Sequence, residues 1–270
     1  MSDRIAMLPQ LAPSSSLTVE TVCGVRHWND HLFSFAITRP PNFRFRSGEF
    51  VMLGLPGAQR PLLRAYSIAS PAYADELEFL SIKVCDGPLT SRLAQIQRGD
   101  QLFLGRKPTG TLVADALLPG RRLFLLSTGT GLAPFLSIVR DADIYERFVQ
   151  VQVVHSVRRV ADLACREVLE THLAGDPLVQ DQALLQLSYL PTVTREPFQT
   201  TGRIGALIES GALFTGLAGP RRLNPEIDRV MLCGGMAMIR ELAGQLDELG
   251  FMEGSNAHPG HYIIERAFVG

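Results

Sequence analysis

Residues 17–105 read as short runs of β-forming residues broken by glycine and proline. The runs cover 17–26, 32–38, 49–55, 64–70, 76–84 and 101–105, and a shorter alternation of aromatic and basic residues covers 43–46. Closely spaced strands with such punctuation predict an all-β unit. One helical pattern, over 90–97, interrupts it. From Pro119-Gly120 onward the pattern changes. Apolar runs at 122–127, 148–155, 185–190, 229–233 and 261–265 alternate with helical stretches at 134–140, 161–173, 204–210 and 237–249. Continuous apolar strands alternating with helices predict a parallel sheet covered on both faces. The expected architecture is an antiparallel β-barrel with a short helix over 17–116, followed by a doubly wound, five-stranded α/β domain over 117–270.

Composition adds bounds. With 270 residues and 46% apolar content, the chain can bury two ordinary cores. A net charge of −1 gives no global argument for nucleic acid or anionic membranes. Cys23, Cys85, Cys165 and Cys233 are scattered and form no C-x-x-C pair, which excludes an evident zinc, iron–sulfur or disulfide framework and suits a reducing cytoplasm. The first residues lack the apolar run of a secretory signal, and no stretch is long enough for a membrane span.

Four stretches suggest chemistry. In Arg64-Ala65-Tyr66-Ser67 an extended backbone puts Arg64 and Tyr66 on one face and Ser67 on the other. A guanidinium fork, a phenol ring and a hydroxyl suit a ligand with phosphate, a flat heterocycle and a hydrogen-bonding edge. Flavin adenine dinucleotide has all three; an ordinary strand with Tyr66 half-buried explains the same residues. Gly87-Pro88-Leu89-Thr90-Ser91 opens the short helix, where amide groups and hydroxyls attract phosphate or simply cap the helix. Gly129-Thr130-Gly131 follows the first strand of the second domain, where open α/β sheets bind nucleotides. Cys233-Gly234-Gly235 follows its fourth strand in the matching place. Arg158, Arg195 and Arg203 come after successive strands. Together they suit a 2′-phosphate, and an arginine where a ribose-binding carboxylate would stand favours NADP over NAD.

These four motifs, in this order and spacing, resemble the ferredoxin/flavodoxin–NADP(+) reductases, the bacterial subclass in particular, over residues 17–270. The resemblance implies FAD on the barrel and NADP(H) on the α/β domain. It implies that Arg64 holds the FAD pyrophosphate, that Tyr66 stacks on the isoalloxazine with Ala65 beside it, and that Ser67 lies near flavin N5. Ile82, Lys83 and Val84 would run along the FAD ribose or pyrophosphate, with Gly87, Leu89, Thr90 and Ser91 around its phosphates. Thr130, which would also touch FAD, and Cys233 would flank the nicotinamide, with Gly129, Gly131, Gly234 and Gly235 shaping the backbone around NADP. Arg158, Thr194, Arg195 and Arg203 would form the 2′-phosphate and adenosine site. Glu265 matches a carboxylate placed near the flavin, and Phe268, in a tail unlike the terminal tyrosine of the plant type, would stack on the FAD adenine. The implied reaction passes hydride from NADPH to flavin N5 and releases electrons singly to a separate acidic carrier, ferredoxin or flavodoxin. Tyr66, Ser67, Cys233 and Glu265 would act at the reacting rings, no metal is implied, and the enzyme would be a monomer. Arg39, Arg44, Arg46, Arg60 and Arg64 would give the carrier a basic patch. An NAD(P)H:flavin or oxygenase-component reductase of the same fold, and a non-catalytic electron-transfer or nucleotide-sensing subunit, remain as alternatives.

Overall fold

The structure, a computed structural model, describes residues 11–84 and 87–265. Six antiparallel strands form the first sheet: β1 (Leu17–His27), β2 (Leu32–Thr38), β3 (Phe50–Leu55), β4 (Leu62–Ser67), β5 (Glu76–Ile82) and β6 (Gln101–Gly105), in the order β4-β3-β6-β1-β2-β5. The long strand β1 serves twice. Its first half pairs with β6 and its second with β2, with an irregularity between Val22 and Gly24. A bulge of this kind bends a strand and increases its twist, which curls the sheet. Beyond β4 the chain returns to the opposite edge, where Ala69 N–H donates to the Glu78 carbonyl at 2.8 Å. Phe33, Phe35, Ile37, Leu77 and Phe79 point inward from β2 and β5 and are buried, with the Phe35 and Phe79 rings stacked at 5.4 Å. Each such ring contributes roughly 1.5–3 kcal/mol of burial.

Two local readings differ. Phe43 and Phe45 are buried as their alternation implies, yet 43–46 form no strand. The Arg39 guanidinium takes the Phe43 carbonyl at 2.8 Å, and those of Ala72 and Ala74 at 2.7 Å, where a neighbouring strand would otherwise donate. Helix α1 spans Thr90–Leu93 and stops short of 97. Gln95 and Ile96 donate back three residues, to Arg92 and Leu93, so the helix tightens and ends.

The second sheet is parallel: β7 (Arg122–Thr128), β8 (Gln150–Val157), β9 (Leu187–Val193), β10 (Asp228–Cys233) and β11 (Tyr262–Glu265), in the order β11-β10-β7-β8-β9. Strand order reverses between β7 and β10, so the two glycine-rich turns open side by side at the switch point where such sheets bind ligands. Helices α2 (Ala133–Ile138), α3 (Ala142–Arg147), α4 (Arg166–Glu170) and α5 (Gln180–Gln186) cover one face, and α6 (Ile204–Glu209) and α7 (Met236–Glu248) the other. Alternate residues of β7 divide accordingly: Leu123 and Leu125 join the first core, Phe124 and Leu126 the second. Barrel residues Leu32, Ala69 and Leu80 belong to that first core, so an apolar seam joins the two halves. At the start of the sheet Arg122 forks onto Asp228 at 2.6 and 2.7 Å, both side chains buried.

The sequence pattern alone misses α3 and α5. Asp141 caps α3 by accepting from Asp143 N–H. In α5 the exposed Leu184 and Leu185 imitate the start of a strand, which delays β9 to Leu187. The helix expected over 161–173 divides into a 3-10 turn, Val160–Asp162, and α4, because Cys165 takes a left-handed φ of 58°. Among the described residues no helix is long and apolar enough to cross a membrane.

Candidate functional site

A cleft of about 990 Å³ opens where the carboxyl ends of the parallel strands meet the barrel. The barrel side supplies His31, Leu32, Ile82 and Lys83. The other side supplies Thr128, Gly129 and Thr130 from the first glycine turn and Gly235 from the second, with Arg158, Thr194, Arg195 and Arg203 farther along. Residues assigned to two different nucleotides therefore share one wall-to-wall space.

The two glycine turns interlock. A Cβ on Gly131 would lie 2.2 Å from the Cys233 carbonyl oxygen, and one on Gly234, at φ +150°, would lie 2.2 Å from Thr128 Oγ1. No side chain fits either position, so these glycines serve the packing of one turn on the other as well as any ligand. Thr128 Oγ1 accepts from Gly235 N–H at 2.9 Å and fixes the pair. Behind them His155 is buried, with Nε2 3.1 Å from the Gly129 carbonyl. Burial holds its imidazole down to about 4.

The arginines converge through backbone pairing. Arg195 N–H donates to the Arg158 carbonyl at 3.0 Å, which sets the two residues side by side beyond β8 and β9. Both side chains are exposed, as is Arg203 at the cap of α6. The Thr194 hydroxyl is spent on the Val157 carbonyl at 3.1 Å, so it supports the loop. Arg159, Asp162 and Glu241 also line the cleft. Only Arg159 had a sequence signal, its place beside Arg158.

On the barrel, Tyr66 is buried against the edges of Phe35 and Phe79, its phenol oxygen 3.3 Å from Ser81 Oγ. Burial raises its pKa. Ala65 is half-buried, and Arg64 is exposed with a hydrogen bond to its neighbour Leu63. Ser67 Oγ is buried and has no hydrogen-bond partner among the described residues. Ile82 and Val84 are 47% and 43% exposed, an apolar edge beside the cleft. Lys83 Nζ donates to the Asn29 carbonyl at 3.2 Å. Ser91 Oγ turns back to the Gly87 carbonyl at 2.7 Å, Thr90 Oγ1 reaches the Val84 carbonyl at 3.4 Å, and Leu89 is buried in the barrel core.

Cys233 lies wholly buried beside Glu265 in the β10–β11 register. Burial, then the Glu265 carboxylate, pushes its thiol well up, which leaves it unionised. Glu265 Oε2 would lie 3.1 Å from a Cβ on Gly110. Phe268 lies outside the described residues. Of the expected basic patch, Arg39 and Arg44 donate to backbone carbonyls, Arg46 pairs with Glu49 at 3.0 Å, Arg64 donates to its neighbour Leu63, and Arg60 is exposed.

The oxidoreductase NAD-binding domain family matches residues 125–243. The ferredoxin–NADP reductase of Pseudomonas aeruginosa is 52% identical over 256 residues, covering 94% of this chain and 99% of that protein. The flavodoxin/ferredoxin–NADP reductase of Rhodobacter capsulatus is 50% identical over 262 residues, covering 96% and 97%. A crystal structure of a ferredoxin NADP+ reductase from Neisseria gonorrhoeae with bound FAD and NADP superposes with a TM-score of 0.84 at 32% identity, covering 94% of this chain and all of that one.

Proposed function

Since the chain belongs to the ferredoxin/flavodoxin–NADP reductase family, we propose that it moves electrons between NADPH and a separate one-electron carrier, ferredoxin or flavodoxin, through FAD. The observation that carries this reading is the single cleft lined by Ile82 and Lys83 of the barrel and by Gly129, Arg158 and Arg203 of the α/β sheet. When bound, FAD supplies the conversion between hydride and single-electron chemistry.

The residues present fit both nucleotides. Ser67 Oγ is a buried hydroxyl with capacity left for a ring-edge nitrogen, and Arg64 is a charge left open for a pyrophosphate. We assign residues 17–116 to FAD and 117–270 to NADP(H). Tyr66 would border the flavin and orient it, its phenol held by Ser81. Ile82 and Val84 would cover its apolar side. Arg158, Arg195 and Arg203 would take the 2′-phosphate, a dianion that NAD lacks. Thr130 would bound the nicotinamide, and the unionised Cys233 would act by filling space behind it. Glu265 would place its carboxyl group near the reacting rings. Hydride transfer requires two rings in near contact, so positioning is the main contribution of these groups.

We place the enzyme in the cytoplasm, which suits scattered thiols, and take it as a monomer whose exposed Arg60 faces an acidic carrier. The test is FAD-reconstituted protein supplied with NADPH or NADH and purified ferredoxin or flavodoxin. Carrier reduction driven by NADPH is expected. Equal rates with NADH would remove the arginine assignment, and an idle carrier would remove the function.

A further inference from the structure

We propose that His155 positions the Gly129 turn, and through it the nicotinamide end of NADP(H), as an uncharged strut between two strands. The inference rests on the reading of the cleft as the NADP(H) site.

Parallel register sets Ser127, His155 and Pro191 side by side on β7, β8 and β9. His155 Nε2 stands 3.1 Å from the Gly129 carbonyl and Nδ1 stands 3.3 Å from the Tyr189 hydroxyl. A carbonyl only accepts, so Nε2 carries the proton and donates. Burial outweighs the pull of the Asp162 carboxylate and keeps the imidazole neutral, so Nδ1 accepts, and the Tyr189 O–H donates to it. The order Tyr189 to His155 to Gly129 is therefore fixed by the terminal acceptor.

The consequence falls on one peptide plane. Gly129 takes a left-handed φ of +54°, with nothing within 4 Å of where a Cβ would sit. Gly129 also opens the 3-10 turn Gly129–Leu132, and the His155 bond adds a side-chain anchor for its carbonyl. In a planar trans peptide the C=O and the following N–H point in opposite directions. With the Gly129 carbonyl drawn toward His155, the Thr130 N–H is turned the other way. Gly129 and Thr130 both line the cleft, whereas His155 does not. It is a positioning residue.

The test uses FAD-loaded His155→Gln, His155→Asn and Tyr189→Phe proteins, each checked by thermal melting. Two readouts are compared: the rate of flavin reduction at saturating NADPH, and the affinity for 2′,5′-ADP, which carries only the phosphate and adenosine end. The Gln amide nitrogen can stand where Nε2 stood, and the Asn amide is one methylene too short. His155→Asn is expected to reduce about tenfold more slowly with 2′,5′-ADP affinity within about twofold of wild type, because a shift of the reacting ring costs rate rather than anchor binding. His155→Gln should recover most of the rate, and Tyr189→Phe should slow it in the same sense. Equal rates for Gln and Asn, a wild-type rate for Tyr189→Phe, or a matching loss of 2′,5′-ADP affinity would overturn the proposal. Wild-type protein that neither binds 2′,5′-ADP nor is reduced by NADPH would instead overturn the reading of the cleft.

Discussion

The Asn29 side-chain amide donates to Asp162 Oδ1 at 3.0 Å and so ties the turn between β1 and β2 to the segment just after β8. The same amide donates to the Ala161 carbonyl at 2.7 Å, while its oxygen accepts from His31 and Leu32 N–H at 2.7 and 2.8 Å. Asp162 Oδ2 in turn accepts from Arg159 N–H. A barrel loop thereby braces the arginine loop. Asn29→Ala should cost about 1–2 kcal/mol of stability from the lost hydrogen bonds, read by denaturant unfolding. It should also raise KM for NADPH more than it lowers kcat, because it loosens binding without touching the reacting rings.

Arg203 reaches the cleft from the cap of α6. Arg203→Ala should weaken NADPH binding by about 1.5–3 kcal/mol, the range for a hydrogen bond to a charged group. NADH should be nearly unaffected. Titration of the oxidised protein with each nucleotide checks this, and equal losses would count against a 2′-phosphate site.

Arg122 and Asp228 are both buried, and Asp228 also accepts from Asn224 N–H at 2.8 Å. Asp228→Ala would leave a guanidinium buried without its counter-ion, a loss of about 3–5 kcal/mol. Replacing both by apolar residues of similar volume should recover much of that. Unfolding of the single and double variants measures the difference.

Stability should fall in acid partly through His155. An unfolded histidine takes its proton near 6.5, but burial holds His155 neutral down to about 4. Between those values the unfolded chain binds more protons, so this contribution is intact above 6.5 and declines as pH drops toward 4. The full decline is roughly 3 kcal/mol at 1.36 kcal/mol per pH unit. Burial and Arg229 lower His261 as well, which acts in the same sense. His155→Gln should show a shallower loss over that window, measured by unfolding at stepped pH.

The fold was legible because its signals are local. The apolar runs of β7 and β10 are buried on both faces, as unbroken hydrophobic strands must be. The glycine turns and arginines were legible because they follow strands, and strand ends converge in a parallel sheet. Helix α5 was hidden because Leu184 and Leu185 face solvent against the usual pattern. The roles of Asn29 and His155 depend on partners far along the chain. Asn29 meets Asp162 across 133 positions, and no spacing rule reports such a contact. Gly131 and Gly234 were read for a ligand, and their tight packing against each other's turn emerges only in three dimensions.

Anaerobic mixing of the FAD-loaded protein with NADPH and, separately, NADH tests most directly that one cleft brings both nucleotides together. Fast bleaching of the yellow absorbance by NADPH, slow bleaching by NADH, and prompt reoxidation by flavodoxin or ferredoxin are predicted. A flavin that binds yet stays oxidised with NADPH would contradict the shared cleft.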